Sequence, residues 1–203
     1  SSSLTSSRSS TPILGNNFDI FTWLEESNLY AHLAEQFKPS AGQEAHESTA
    51  QFITGLFNLP FPDSSIKGRC LEPFLQASWL HALLEAVFDG EEGDEESSLT
   101  AALQVIGTIF KSIQEVKAEE LAAQFLRAFA ETADTFFDLL TQRNSVKYIL
   151  LPCGRVNALG AVRLAAVEMF IECVTLLAEN SLSDALHEQL LQMFSRHRFS
   201  QWM

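Results

Sequence analysis

Cysteine is scarce in this chain of 203 residues, and the three present, Cys70, Cys153 and Cys173, form neither a C-x-x-C pair nor a Cys/His ligand spacing. A scattered, odd-numbered set suggests neither a disulfide framework nor a structural zinc site, and it fits a reducing, cytoplasmic setting. Basic residues are scarce too: 13 Lys and Arg stand against 26 Asp and Glu, for a net charge of -13. Such a surface repels phosphate backbones and anionic headgroups, so we expect no nucleic-acid partner and no membrane partner. Long apolar runs are also missing, because the longest, Asn157 to Leu177, is interrupted by Arg163, Glu168 and Glu172. It does not read as a transmembrane segment.

The chemistry-bearing motifs are absent as well. The sequence has no Gly-rich phosphate loop, no H-E-x-x-H and no Ser/His/Asp arrangement, so we expect no catalytic, cofactor-binding or metal-binding residues. "PCGR", Pro152 to Arg155, invites comparison with a cysteine nucleophile and its arginine clamp. Such a site needs about five residues between the two on one anion-cradling loop, whereas the next arginines after Cys153 are two and ten residues away. The paired carboxylates Glu25-Glu26 and Glu119-Glu120 are sequence neighbours, which on a helix diverge by about 100° and belong to a solvated face. His81 and His187 fall at equivalent places in two similar segments where a third has Tyr30, which makes them a pattern effect and not a ligand set.

What is abundant is apolar residues at helical spacing, with 46% hydrophobic content. "LYAHLAEQF" (Leu29–Phe37), "LHALLEAVF" (Leu80–Phe88) and "LHEQLLQMF" (Leu186–Phe194) each place Leu, Leu and Phe at i, i+4 and i+8, at offsets of 51 and 106 residues. A degenerate copy, "FFDLLTQ", lies near Phe136. Between the copies, "AQFITGLF" (Ala50–Phe57) and "LQVIGTIF" (Leu103–Phe110) share Gln, Ile and Phe at an offset of 53. In the latter helix Leu99, Leu103, Ile106, Phe110 and Ile113 draw one buried stripe. Ser27, Pro73, Asp89-Gly90 and Ser98 supply the expected starts and stops.

The fold class expected is therefore all-α: an α-solenoid of HEAT- or armadillo-like repeats with about four helix-pair units. A non-repetitive bundle is the alternative. Residues 1–17 read as a disordered, Ser-rich lead-in, and 18–203 as a helical-repeat domain expected to be part of a longer solenoid.

In "WLEESNLYAHLAEQFKPSAGQEAHESTAQ", the residues Trp23, Leu24, Glu26, Leu29, Leu33, Pro39, Ser40, His46 and Gln51 resemble the W-L-x-E...H-P-S...H...Q pattern of the SAPS domain. That domain belongs to regulatory subunits of the protein phosphatase 6 type of serine/threonine phosphatase. "VFDGEEGDEESSLTAALQVIGTIF" and "TFFDLL" are similar to its helix–acidic loop–helix and F-H-x-L-L elements. "LGAVRLAAV" keeps Gly160, Arg163 and Leu164 of its G-N-x-R-L motif. Lys38 and Ala161 depart from the pattern, and "MFSRHRFSQWM" echoes the family's aromatic end only through Phe194, Phe199 and Trp202. The resemblance implies a non-enzymatic regulatory scaffold that holds the phosphatase catalytic subunit and influences its substrates, with ankyrin-repeat subunits as further candidate partners. A helical-repeat adaptor for an unrelated protein would share every physical feature above.

Three groups of residues are candidates for contacts. The acidic run Asp89–Glu96 is either a solvated interhelical loop or an element that docks a basic surface, with Ser97 and Ser98 beside it as modifiable hydroxyls. At the basic end, Arg196, His197, Arg198 and Trp202 are candidate partner-binding residues. Arg163 falls on the helix face opposite Glu168, Glu172 and Thr175, with Ala166, Val167 and Phe170, on a helix expected to be packed on most sides. It is a candidate clamp between repeats or a partner contact.

Overall fold

The computed structural model describes residues 26–61, 63–88, 93–113, 119–142, 148–151, 154–157, 160–178 and 184–196. Among them the backbone forms eight α-helices: α1 (Leu29–Glu35), α2 (Gln43–Phe57), α3 (Ser64–Leu75), α4 (Ala77–Val87), α5 (Glu95–Ile113), α6 (Glu119–Gln142), α7 (Ala161–Ala178) and α8 (Asp184–Arg196). A 3-10 turn, Pro39–Ala41, joins α1 to α2. The expected helical class is observed, with one addition. Between α6 and α7 lies an antiparallel hairpin of β1 (Tyr148–Leu151) and β2 (Gly154–Asn157), in which Tyr148 pairs with Asn157 and Leu151 with Gly154. Four-residue strands give alternation no room to show, so the sequence pattern passed over them.

Helix ends follow local chemistry, though not always at the expected residue. Ser98 does not cap α5, since the helix already starts at Glu95. Asp94 does so, accepting the Ser97 backbone N–H at 3.0 Å, and thereby satisfies one of the orphan donors of the first turn. Pro73 does not open a helix either; it sits inside α3, which ends two residues later at Leu75, as expected where a ring removes an N–H and crowds the preceding turn. Asn28, at φ 53, precedes α1 in place of Ser27. Asp89 and Gly90 lie outside the described residues, and α4 ends at Val87.

Neighbour relations sort the helices into two rows. α1 packs on α4, α4 on α6 and α6 on α8, while α2 packs on α5 and α5 on α7. The three helices with the Leu-Leu-Phe spacing share the first row, and the two with the second pattern share the other. α3, which rests on α4 and α6, and the hairpin have no counterpart elsewhere among the described residues. The second-row helices each send a phenylalanine into the core, that of α2 toward α3 and those of α5 and α7 toward the first row. Phe57 meets Phe74 with ring centroids 5.7 Å apart, Phe110 meets Phe129 edge-on at 4.8 Å, and Phe170 reaches the same Phe129 at 6.4 Å. Each such ring contributes about 1.5–3 kcal/mol by burial and about 0.5–1.5 kcal/mol more through edge geometry.

Helix α5 is the hub. Its expected stripe of Leu99, Leu103, Ile106, Phe110 and Ile113 is buried, and Ala102, Val105 and Ile109 are buried too. Only a narrow line of Glu96, Gln104 and Lys111, with the half-buried Thr100 and Thr108 between them, reaches solvent along its body.

Long-range hydrogen bonds lock the start of the described chain onto this hub. Three consecutive carbonyls after α1 are each occupied: Phe37 accepts from the Ser98 hydroxyl, Lys38 from His46 Nε2–H at 2.8 Å, and Pro39 from the Asp94 N–H at 3.0 Å. Because a carbonyl only accepts, Nε2 carries the imidazole proton, and in the neutral ring Nδ1 accepts from the Ser97 hydroxyl at 3.1 Å. The Trp79 indole N–H donates to the Tyr30 carbonyl at 3.0 Å.

Candidate functional site

The second row presents an open groove whose floor is the narrow solvent-facing line of α5. α2 forms one wall, with Ala50, Gln51, Thr54 and Asn58 facing it, and α7 forms the other, with Ala165, Glu168, Met169 and Glu172. This section encloses about 630 Å³. A second section of about 360 Å³ continues it toward the first turns, between Gln43 and Glu47 of α2, the Asp94–Thr100 end of α5, and Ala161 of α7; Gln104 belongs to both sections. N-terminal residues of all three helices thus share one end and later residues the other, so α2, α5 and α7 run parallel.

Small residues make the groove possible. A Cβ added to Gly107 would lie 3.4 Å from Met169 Cα, which shows how closely α5 and α7 approach. Ala50 and Ala165, both buried, continue the low floor. Polar groups stand above it. Gln51, Gln104 and Lys111 are exposed, and none of their three side chains has a hydrogen-bond or ion-pair partner among the described residues. Glu47 accepts from the Gln43 side-chain amide at 2.6 Å, which leaves its second carboxylate oxygen for a ligand.

The residues singled out from the sequence are dispersed relative to this groove. Arg163 is half-buried near the start of α7, and among the described residues it has no ion-pair partner. Its helix is not packed on most sides. Ala166, Met169, Phe170 and Cys173 are buried, but Leu164, Ile171 and Val174 are 47%, 57% and 46% exposed. A helix apolar all round has no periodic signal, so the sequence cannot distinguish its packed face from its open one. Arg196 ends α8, while His197, Arg198 and Trp202 lie outside the described residues. Of the acidic run, residues 89–92 lie outside them as well. Gly93 and Asp94 are held against the 3-10 turn, where a Cβ at Gly93 would run into the Pro39 carbonyl.

Reactive side chains are occupied elsewhere. Ser98 is buried and its hydroxyl is committed to Phe37; the Ser97 hydroxyl is committed to His46. Cys70 and Cys173 are buried free thiols. Burial raises the Cys70 pKa and pushes Cys173 up to about 12, so neither is a ready thiolate. Cys153 lies outside the described residues. Tyr30 is half-buried against Phe74 at 5.1 Å whereas His81 is exposed, so their shared pattern position carries no shared role. Glu26 and Glu120 are exposed. Among the described residues no group of His, Cys, Asp and Glu is placed to hold a metal ion, and no helix is long and apolar enough to cross a membrane.

Sequence reasoning registered Gln51 and Gln104 only as matched letters in two similar segments. One signal could have placed Gln104, the polar spacing Glu96, Thr100, Gln104, Thr108, Lys111 on a helix otherwise apolar, and none could have placed Gln51 beside it. Compared with family models, curated proteins and solved structures, the chain matches none.

Proposed function

We propose that this chain is a non-catalytic α-solenoid scaffold that binds a protein along its second row of helices. One observation carries the reading: α2, α5 and α7 run parallel and leave one continuous groove with a small-residue floor and uncommitted polar groups. Stacked helix pairs build extended surfaces of this kind, and binding to them needs no chemistry from the scaffold. The placement of the Leu-Leu-Phe helices in one row and the Gln-Ile-Phe helices in the other supports the repeat reading. Free thiols at Cys70 and Cys173 are consistent with a cytoplasmic location.

For the partner, the SAPS-like residues support a catalytic subunit of the protein phosphatase 6 type, with ankyrin-repeat subunits as additional members of the assembly. In that complex the scaffold positions the phosphatase and its substrates, and the partner performs hydrolysis. The test is to mix the purified chain with that catalytic subunit and follow co-elution in size-exclusion chromatography. A stable complex is expected. Separate elution of the two at micromolar concentration would remove the phosphatase assignment and leave an adaptor for a different protein.

A further inference from the structure

Carboxylates outnumber ammonium groups along the groove, with Glu47, Asp94, Glu96, Glu168 and Glu172 opposed only by Lys111 among the lining residues. An opposing field comes from the three parallel helices, whose N-termini share one end of the groove and are each equivalent to about half a positive charge. Together they offset about 1.5 charges, less than the formal excess of four carboxylates. Asp94 and Glu96 suit the first turn of their own helix. Glu168 and Glu172 stand well past the first turn of α7, where the dipole gives them no support, and among the described residues neither has a cationic partner.

The dimensions fit an extended segment. From Glu96 to Lys111 the floor runs about 22 Å at 1.5 Å per residue, enough for about seven residues of extended chain. Gln51 on the wall and Gln104 on the floor each offer a donor and an acceptor, the complement of a peptide backbone. Ala50 and Ala165 put no long side chain in the way of that backbone.

We propose that the groove takes an extended, Lys/Arg-bearing segment of a partner protein, with its cations toward Glu168, Glu172 and the Asp94–Glu96 end and its backbone against Gln51 and Gln104. The inference rests on the scaffold reading but not on the phosphatase as partner. A chain that co-elutes with the phosphatase subunit yet ignores a basic peptide keeps the first proposal and loses this one, whereas the reverse result keeps this one and the scaffold reading and loses only the phosphatase assignment.

The test is a fluorescence-anisotropy titration of the whole chain with a labelled nonapeptide of repeated Lys-Arg-Ser. Saturable binding that weakens with added salt is expected. Glu168→Lys with Glu172→Lys should weaken it roughly tenfold or more. Glu85→Lys with Glu131→Lys makes the same charge change at exposed positions of α4 and α6 and should alter it less than about twofold. Gln104→Ala should weaken binding about threefold while leaving the salt dependence intact. Equal losses from both charge pairs, absence of saturation, or preference for a repeated Glu-Asp-Ser peptide would each overturn the proposal. If the double reversal does not fold, Glu168→Gln with Glu172→Gln decides, with weakening expected and unchanged affinity overturning it.

Discussion

His46 donates its Nε2 proton to the carbonyl of Lys38 at 2.8 Å, from a side chain with no exposed surface. The ring joins α2 to the turn after α1 and, through Ser97, to α5. Replacing it by alanine removes both hydrogen bonds and leaves a cavity, although the Lys38 carbonyl keeps the Ala41 N–H at 2.9 Å. His46→Ala should therefore cost about 2–4 kcal/mol in urea denaturation, and Ser97→Ala about 1 kcal/mol.

Two glycines should respond with opposite sign. At Gly93 an added methyl meets the Pro39 backbone, which cannot swing aside, so Gly93→Ala should destabilise by about 1–3 kcal/mol. At Gly107 the nearest atom is 3.4 Å from the would-be Cβ, an ordinary contact. Gly107→Ala should then gain up to about 1 kcal/mol from helix propensity, whereas Gly107→Val should lose about 1–3 kcal/mol by forcing α5 from α7. Thermal and urea unfolding check both.

The Cys173 thiol, raised by burial from the ordinary 9.0 to about 12, predicts a pH dependence. Its stabilising contribution is full below pH 9.0, where both folded and unfolded chains hold the proton. It falls as pH rises toward about 12 because only the unfolded chain then releases it. The loss should approach about 1.4 kcal/mol per pH unit for this one group. In a Cys153→Ser background, native Cys173 should resist iodoacetamide at neutral pH and become fully labelled in denaturant.

The apolar open face of α7 should behave as surface. Ile171 is 57% exposed and Ile106 fully buried, so Ile171→Asn should change stability by less than about 0.5 kcal/mol while Ile106→Ala costs about 2–5 kcal/mol. Comparable costs would mean that the stripe through Leu164, Ile171 and Val174 is covered.

Legibility from sequence divided along physical lines. The stripe from Leu99 to Ile113 was readable because the narrow polar line on the other side of α5 leaves a period. The packing around Arg163 was not readable, because α7 is apolar in all directions and periodicity vanishes. The hairpin at Tyr148–Asn157 escaped through brevity. His46 entered as one letter of a family pattern, and nothing local foretold that it would bond Ser97, 51 residues later. The groove was not read from the sequence: the apolar stripe of α5 was named but not the polar line beside it, and the walls exist only once α2 and α7 are set beside it.

The three occupied carbonyls after α1 also order events in time. α1 has seven residues, too few to persist as an isolated helix in water. Its anchors come from Trp79, 49 residues beyond Tyr30, and from Ser98, 61 residues beyond Phe37. A chain leaving the ribosome must therefore carry the α1 segment unsecured until α4 has been synthesised, and incompletely secured until α5 follows. The first helix to emerge among those described is thus not the first to be fixed, and a translational pause before Trp79 would expose it to proteases and chaperones alike.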